Sequence, residues 1–429
     1  MIKCKENDSK GGSVYQDISS DYTKEHEEIR AMVHAFSKDV LRPKSLQLDA
    51  LTPSQAIEDD SPLWEVFRGW YQLEQHCASL PNQFGGANLD PLSQCIIFEE
   101  LGWGASDLAI SLGVASFPFL FLSLLAADPS MKNLVDEIVG PFAKDREGKT
   151  IGCWAITEPN HGSDELGVGI DTFSQPSTAG NCRATFEKDH WTITGQKSAW
   201  VSNGTIASHA LLFCTIEPSH GMEGGGIAIV PLNLPGVKKG APLDKIGQRA
   251  LNQGEIHFDS VEIPQQNMIV GEGAYSTMLN ATLATANSAM ALVFTGLARA
   301  AFEEALEYAK ERIQGGKPIA EHQMIQQKLF AMFTQIEQSR SLSRLVFIHN
   351  AKLGIPVLPF SIAAKVSATR CAFNVASEAI QIFGGIGLTK GTLVEKFFRD
   401  ARASLIEDGV NEFLELVGAK ELINTYNPN

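Results

Sequence analysis

At 429 residues the chain has room for two or three domains, or for one large fold of several layers. With 44% hydrophobic and 20% charged residues it has the composition of a globular protein with large buried cores. The formal charge of −15 argues against nucleic acid or an anionic membrane as the main partner, because both repel an acidic surface; a solvated acidic face accounts for it. Seven cysteines are odd in number and show no CxxC spacing, which fits neither a disulfide framework nor a zinc site. A reducing cytoplasm is therefore the expected location, and the polar start MIKCKENDSKGG lacks the apolar core of a signal peptide.

In chain order, residues 1–20 read as a polar extension and residues 21–148 as a helical domain. Tyr22–Leu41 carries apolar residues three and four apart among charges, behind a Ser/Asp-rich start that can cap a helix. Leu80–Asp90 is a Pro/Gly/Asn-rich break, and the next helix, Ser93–Gly104, carries the acidic pair Glu99 and Glu100. Leu108–Ala127 is almost free of charge and long enough to span a bilayer. Pro118 interrupts that run, so the expectation is a broken pair of helices buried in a helical domain, without membrane insertion. Residues 149–273 alternate short β-rich runs (TIGCWAITE, HWTITG, ALLFCTIE, GIAIVPL) with Gly, Pro and Asn, and predict an antiparallel β-barrel or sandwich. Residues 274–429 return to long helices, Thr277–Arg312, Ile319–Leu345 and Pro359–Phe383, joined by short Gly/Pro turns as in a four-helix bundle. The fold class is thus α+β in three parts.

Common catalytic signatures are missing. No GxGxxG follows a strand, and there is no GxSxG, HExxH or Walker A sequence; the ten histidines are scattered. What remains is a series of segments spread across nearly the whole chain: Trp154–Asp164 (WAITEPNHGSD), Ile193–Gly204 (ITGQKSAWVSNG), Lys245–Gly273, Glu311–Pro318 (ERIQGGKP) and Gln381–Phe413. Together they resemble the acyl-CoA dehydrogenase family. The resemblance implies a helical domain, a β-barrel and a four-helix bundle, one non-covalent FAD and no metal. It also implies an acyl-CoA substrate, an electron-transfer flavoprotein as electron acceptor, and a homo-oligomer built as a dimer of dimers.

Carried over position by position, the resemblance assigns flavin contacts to Trp154, Ile156, Thr157, Trp200 and Ser202. The pyrimidine edge of a flavin that takes up hydride needs hydrogen-bond donors for its developing charge. Gln381 and the glycines Gly384, Gly385 and Gly387 would meet the FAD diphosphate and ribitol, with a plain helix-ending turn as the alternative. Arg312 would reach the FAD of a neighbouring subunit, or else be a solvated helix-end cation. Ser163 would meet the CoA arm. Asn287 replaces an arginine that helps to bind CoA, which leaves free CoA and a protein-bound pantetheine both open, and Gly315 stands where the family has a phenylalanine near the adenine.

The catalytic position departs furthest. Where the family has Tyr-Glu-Gly-Thr, this chain has Glu407, Asp408, Gly409 and Val410, and a second family position for the base falls on Ala286. An aspartate is one methylene short, and a misplacement near 1 Å costs about 100-fold. Three carboxylates are therefore candidates for the base: Asp408, Glu407 and Asp107. For Asp107, which follows EELGWGAS, desolvation among apolar residues would raise the pKa toward a basic range, unless it merely caps the helix starting at Leu108. The pattern is similar to a subgroup acting on alicyclic acyl-CoAs, where an aspartate elsewhere in the pocket takes the proton. A flavin oxidase or monooxygenase on this scaffold, or an inactive homologue serving as a binding subunit, are the alternatives.

Overall fold

The computed structural model describes residues 17, 18, 21–354 and 356–425. The expected extension over residues 1–20 lies outside them except for 17 and 18, and there Asp17 is ion-paired with Arg344 at 2.7 Å.

The first part is helical. Thr23 opens α1 (Lys24–Phe36) with a capping box, its hydroxyl accepting from the His26 amide while the His26 ring accepts from the Thr23 amide. A single wide turn, Ser37–Leu41, carries the chain straight into α2 (Arg42–Asp49). Then follow α3 (Pro62–Gln72), α4 (Pro91–Gly104), α5 (Ser106–Ser123) and α6 (Lys132–Lys144). Asp90 caps α4 through the amides of Leu92 and Ser93.

The expected break at Pro118 does not occur. Helix α5 runs unbroken to Ser123, and Pro118 packs where Gly152 leaves room: a Cβ on Gly152 would stand 2.4 Å from the proline Cδ. Nor is this segment unique, since Ser106–Ser123, Glu272–Glu311 and Leu358–Leu388 are all long and apolar enough to cross a membrane. In the first two, 78% of the most apolar window is covered by the rest of the protein.

The middle part holds β1 (Gly152–Ala155), β2 (Arg183–Glu187), β3 (His190–Lys197), β4 (His209–Thr215), β5 (Gly225–Pro231), β6 (Val237–Lys239), β7 (Ile256–Pro264) and β8 (Met268–Val270). They form one sheet in the order β6-β7-β3-β2-β4-β5-β8, with β1 on β4. The expectation of an antiparallel barrel or sandwich holds for most pairings and is corrected at two. β1 runs parallel to β4, β2 meets β4 in parallel at Arg183 and Thr215, and no pairing joins β6 to β8 among the described residues. Strand β4 shows why its run read as continuously apolar: Ala210, Leu212 and Cys214 enter the sheet's own core, while Leu211 and Phe213 enter the core shared with the helices. All six cysteines among the described residues are buried and unpaired.

The last part contains α7 (Glu272–Glu311), a tight hairpin of β9 (Ile313–Gln314) and β10 (Lys317–Pro318), α8 (Gln323–Leu353), α9 (Leu358–Phe383), α10 (Leu393–Ser404) and α11 (Asn411–Thr425). Helices α7, α8 and α9 pack on one another, and the two short helices α10 and α11 share the remaining side against α9, so five helices stand where four were expected.

Helix α7 also lies against α4 at backbone distance. A Cβ on Gly102 would sit 2.0 Å from the Val293 carbonyl oxygen, and one on Gly296 would sit 2.1 Å from that of Glu99. That closeness forces Glu99 and Glu100 out of water, and cations answer them: Arg30 and His34 of α1 reach Glu100 at 3.0 and 2.8 Å, and three arginines come from the last helical part. Arg299 reaches Glu99 and Glu100 at 2.9 and 2.6 Å, Arg340 reaches Glu99 at 3.0 Å, and Arg344 reaches it at 3.1 Å. Burial alone would push the Glu99 carboxyl up, but Arg340, Arg344 and Arg299 outweigh it and hold the group well below the usual carboxylate range. Replacing Glu99 with alanine removes the buried carboxylate that three arginines share and leaves their charge incompletely matched, and we expect a loss of about 3–5 kcal/mol. A fall in melting temperature no larger than that of the exposed pair variant Glu28→Ala would contradict this.

Candidate active site

Three segments meet at the C-terminal end of α10. The loop to α11 is pinned at four consecutive residues. The Asp408 carbonyl accepts from Asn287 Nδ2 at 3.1 Å, and the Gly409 carbonyl accepts from Lys365 Nζ at 2.8 Å. The Val410 amide donates to Ser163 Oγ at 3.0 Å, and Asn411 Oδ1 accepts from Lys365 at 2.8 Å. Asp408 itself has φ +51°, a left-handed backbone that costs a non-glycine residue energy and persists only where its surroundings over-determine it. The structure therefore brings Ser163, Asn287, Glu407 and Asp408 together.

Asp408 and Glu407 are both half-buried, and the Asp408 carboxylate accepts no hydrogen bond among the described residues. Burial raises its pKa to about 6, opposed by the Lys365 ammonium. Glu407 is tied: its Oε1 accepts a short hydrogen bond from Gln248 Nε2. Burial and the neighbouring Asp408 push it to about 8, against the pull of Gln248, Lys365 and Lys245. The two cations are lowered in turn, each to about 8, by their own burial.

Asp107 is a different kind of group. It is fully enclosed, accepting from Lys396 at 2.7 Å, from Ser45 Oγ at 3.0 and 3.2 Å, and from the amides of Leu108 and Ala250 at 2.9 and 3.3 Å. The expected rise in its pKa is overturned. Burial pushes the carboxyl up, but Lys396, the Leu108 amide and Ser45 win and lower it. It does not cap the helix either, since α5 begins one residue before it and Ala105 holds the cap position. Desolvation raises a carboxyl only when nothing ionic follows it into the interior.

The residues expected to meet a flavin lie at and just beyond the ends of β1 and β3. Thr157 and Ser198 share a hydroxyl hydrogen bond of 2.7 Å, and the Ile156 carbonyl accepts from the buried Lys197 at 2.6 Å, which also pairs with Glu158 at 2.8 Å. Trp154 faces inward against Phe117 and Phe213, its indole N–H buried without a partner. Trp200 is 59% exposed between the buried residues Ser198 and Val201, and Gln253 holds its carbonyl and the Ser202 hydroxyl at 3.2 and 3.3 Å.

The second corner sits where α7 and α9 end side by side, Tyr308 stacked on Phe383 at 4.1 Å. Arg312, Gln381, Gly384 and Gly385 are all exposed there. Gly384 has φ +66° with no atom within 4 Å of an added Cβ, so its backbone lies open. Gly387 is different, for a Cβ there would stand 2.9 Å from that of Phe383, and its need for glycine is internal packing. Gly315 has φ +63°, which a phenylalanine would adopt only under strain.

An indole lying open beside a shared hydroxyl pair, and a bare glycine backbone at a helix end, suit the ring and the diphosphate of FAD, so the residues present fit that cofactor. Sequence reasoning passed over Gln248, Lys245 and Lys365, although a lysine inside the apolar stretch SIAAKVSA was a visible signal. It also passed over Glu165, buried with Oε1 unpartnered and raised well above the usual carboxylate range by burial.

Three descriptions of known domains match the chain in order: "Acyl-CoA dehydrogenase, N-terminal domain" over residues 23–126, "middle domain" over 153–261 and "C-terminal domain" over 271–423. The mitochondrial short-chain specific acyl-CoA dehydrogenase of Rattus norvegicus is 29% identical over 417 residues, 96% of this chain and 93% of that protein. An acyl-CoA dehydrogenase of Bacillus subtilis is 31% identical over 351 residues, 80% of this chain and 86% of that one. The structure of butyryl-CoA dehydrogenase from Megasphaera elsdenii superposes with a TM-score of 0.81 at 28% identity, covering 95% of this chain and 100% of that one.

If the open backbone at Gly384 lies against the cofactor, Gly384→Ala should lower the flavin absorbance per purified chain several-fold. Gly387→Ala should act on thermal stability instead. Full flavin content in Gly384→Ala would remove that residue from the site.

Proposed function

The chain belongs to the acyl-CoA dehydrogenase family of FAD-dependent oxidoreductases, and from that premise we propose that Asp408 is the base that removes the proton next to the thioester. The observation that carries this reading is a half-buried carboxylate, free of hydrogen bonds among the described residues, on a loop pinned at four consecutive positions. A general base works best with a pKa near the working pH, and burial of Asp408 brings it to about 6. The left-handed backbone at Asp408 sets the direction of a side chain one methylene shorter than the family's glutamate. FAD, when bound, supplies the hydride acceptor, and we propose an electron-transfer flavoprotein as the partner that receives the electrons.

Around that base the chain's own residues position and exclude. Ser163 holds the loop through the Val410 amide while standing where the CoA arm is expected, and Asn287 of α7 fixes the Asp408 carbonyl. Lys365 is fully buried and donates to the Gly409 carbonyl, so its ammonium lies beside Asp408 and favours the ionised form without neutralising it by contact. The alicyclic reading leaned on Asp107, whose carboxyl is committed to Lys396; Asp408 therefore stands ahead of it.

For assembly we propose a homotetramer built from dimers. Ile313, Met324, Phe330, Leu345 and Phe360 are all more than half exposed on the helical bundle, and the first of them follows Arg312 directly. Apolar surface of that extent on a helical face is what a subunit contact would bury.

A base acts as its conjugate carboxylate, so flavin reduction in single turnover should rise with pH, with a midpoint near 6, and level off above it. A midpoint near 8 would assign the step to Glu407. Asp408→Asn should lose roughly 10²- to 10⁴-fold in rate with FAD content kept, and near-wild-type reduction would remove Asp408 as the base. By light scattering the FAD-loaded protein should be an oligomer, and a FAD-loaded species with the mass of one chain would contradict the assembly.

A further inference from the structure

The loop between α10 and α11 carries two carboxyls side by side, and proton removal needs only one. Glu407 is the anchored one. Gln248 Nε2 donates to its Oε1, and the Gln248 amide N–H is itself held by Asp400 Oδ1 at 2.5 Å. Asp400 and Asp107 share the Lys396 ammonium at 2.5 and 2.7 Å, and Asp107 reaches on to Ser45. A buried chain of hydrogen bonds thus runs from α2 and α5 through α10 to one oxygen of Glu407, and Gln248 sits in a left-handed backbone (φ +50°) to complete it. The other oxygen, Oε2, accepts nothing among the described residues and is not sealed in.

The charged groups facing this carboxyl are few. Asp408 lies beside it on the loop, Lys365 comes from α9, and Lys245 comes from the segment before β7. Both ammoniums are engaged elsewhere, Lys245 with the Leu251 carbonyl and Gln253, Lys365 with the Gly409 carbonyl and Asn411. With burial and Asp408 raising it to about 8, Glu407 is largely protonated at neutral pH and offers an O–H donor as well as an acceptor.

We propose that Glu407, held in place by Gln248, is a specificity-determining residue that hydrogen-bonds a neutral oxygen substituent, a hydroxyl or keto group, on the acyl part of the substrate. This rests on the reading of Asp408 as the base, because that reading places Glu407 beside the reacting carbons. The physical reason is asymmetry of cost. A plain hydrocarbon chain laid against this carboxyl would leave a polar group desolvated and unpaired, whereas a hydroxyl or carbonyl would satisfy it. An acyl carboxylate finds no free cation here, since both ammoniums are already spoken for.

The test uses the full-length, FAD-loaded oligomer and pairs of acyl-CoAs of equal chain length, plain against hydroxyl- or keto-bearing, with ammonium- and carboxylate-bearing analogues alongside. The measured quantity is the ratio of kcat/KM within each pair. Wild type should favour the oxygen-bearing member by about tenfold or more, Glu407→Leu should abolish or invert the preference, and Glu407→Gln, which keeps a donor and an acceptor, should retain part of it. Gln248→Ala should weaken the preference with FAD content unchanged, because it frees Glu407 without removing it. An equal loss for both members in Glu407→Leu, no preference in wild type, or a preference for the ammonium or carboxylate analogue would each overturn the proposal. Asp408→Asn separates the two readings. Retained flavin reduction there, with the substrate preference intact, would fail the base and leave the role of Glu407 standing.

Discussion

The close approach of α7 to α4 is the constraint on which the other parts depend. Glycines at 102 and 296 let two helix backbones touch, and the contact carries Glu99 and Glu100 into an interior where Arg299, Arg340 and Arg344, with Arg30 and His34 on Glu100, make them tolerable. Because Arg299, Arg340 and Arg344 come from α7 and α8, the ion cluster ties the first helical part to the last one in three dimensions. The same forty-residue helix begins against the sheet, where Tyr275 fills the space above Gly225, and ends at the corner of Arg312 and Gly384. One rigid rod therefore sets the distance between sheet, bundle and loop. The site is made of pieces from all three.

The sheet is fixed to the helical part by a second set of contacts that leave as little slack. Asn203 and Ser111 exchange hydrogen bonds at 2.7 and 2.8 Å across α5 and the segment after β3, and Gly152 seats Pro118. The segment that places Trp200 and Ser202 is thereby held to α5, the helix that carries Asp107. Rigidity of this kind is what lets a short loop hold a carboxylate at a defined place.

Two neighbouring regions show how burial gives opposite results for the same side chain. Asp107 enters the interior with Lys396 and stays ionised, so it serves to join α5 to α10. Asp408 enters without a contacting cation and is raised to about 6, a range useful for moving a proton. Asp400, sharing Lys396 with Asp107, is raised to about 6 as well, yet it is locked between that lysine and the Gln248 amide and reaches nothing else. Accessibility, more than the pKa itself, separates a reactive carboxyl from a structural one.

Period and punctuation were enough to read three parts from the chain, because helical and strand periodicity differ and the switch between them falls at Gly and Pro turns near residues 149 and 273. Ordered motifs were enough for the family, and the position of its Tyr-Glu-Gly-Thr run was enough to point at Glu407 and Asp408. What sequence could not supply was which partner accompanies a buried charge. Asp107 lies 289 positions from Lys396, and nothing local to either residue announces the pair. The parallel pairing of β1 with β4, the survival of α5 through Pro118, and the tether from Gln248 to Glu407 are decided the same way, by neighbours distant along the chain. Local pattern specifies an element and the face it buries, whereas the charge state, orientation and reach of a side chain depend on the groups that folding places against it.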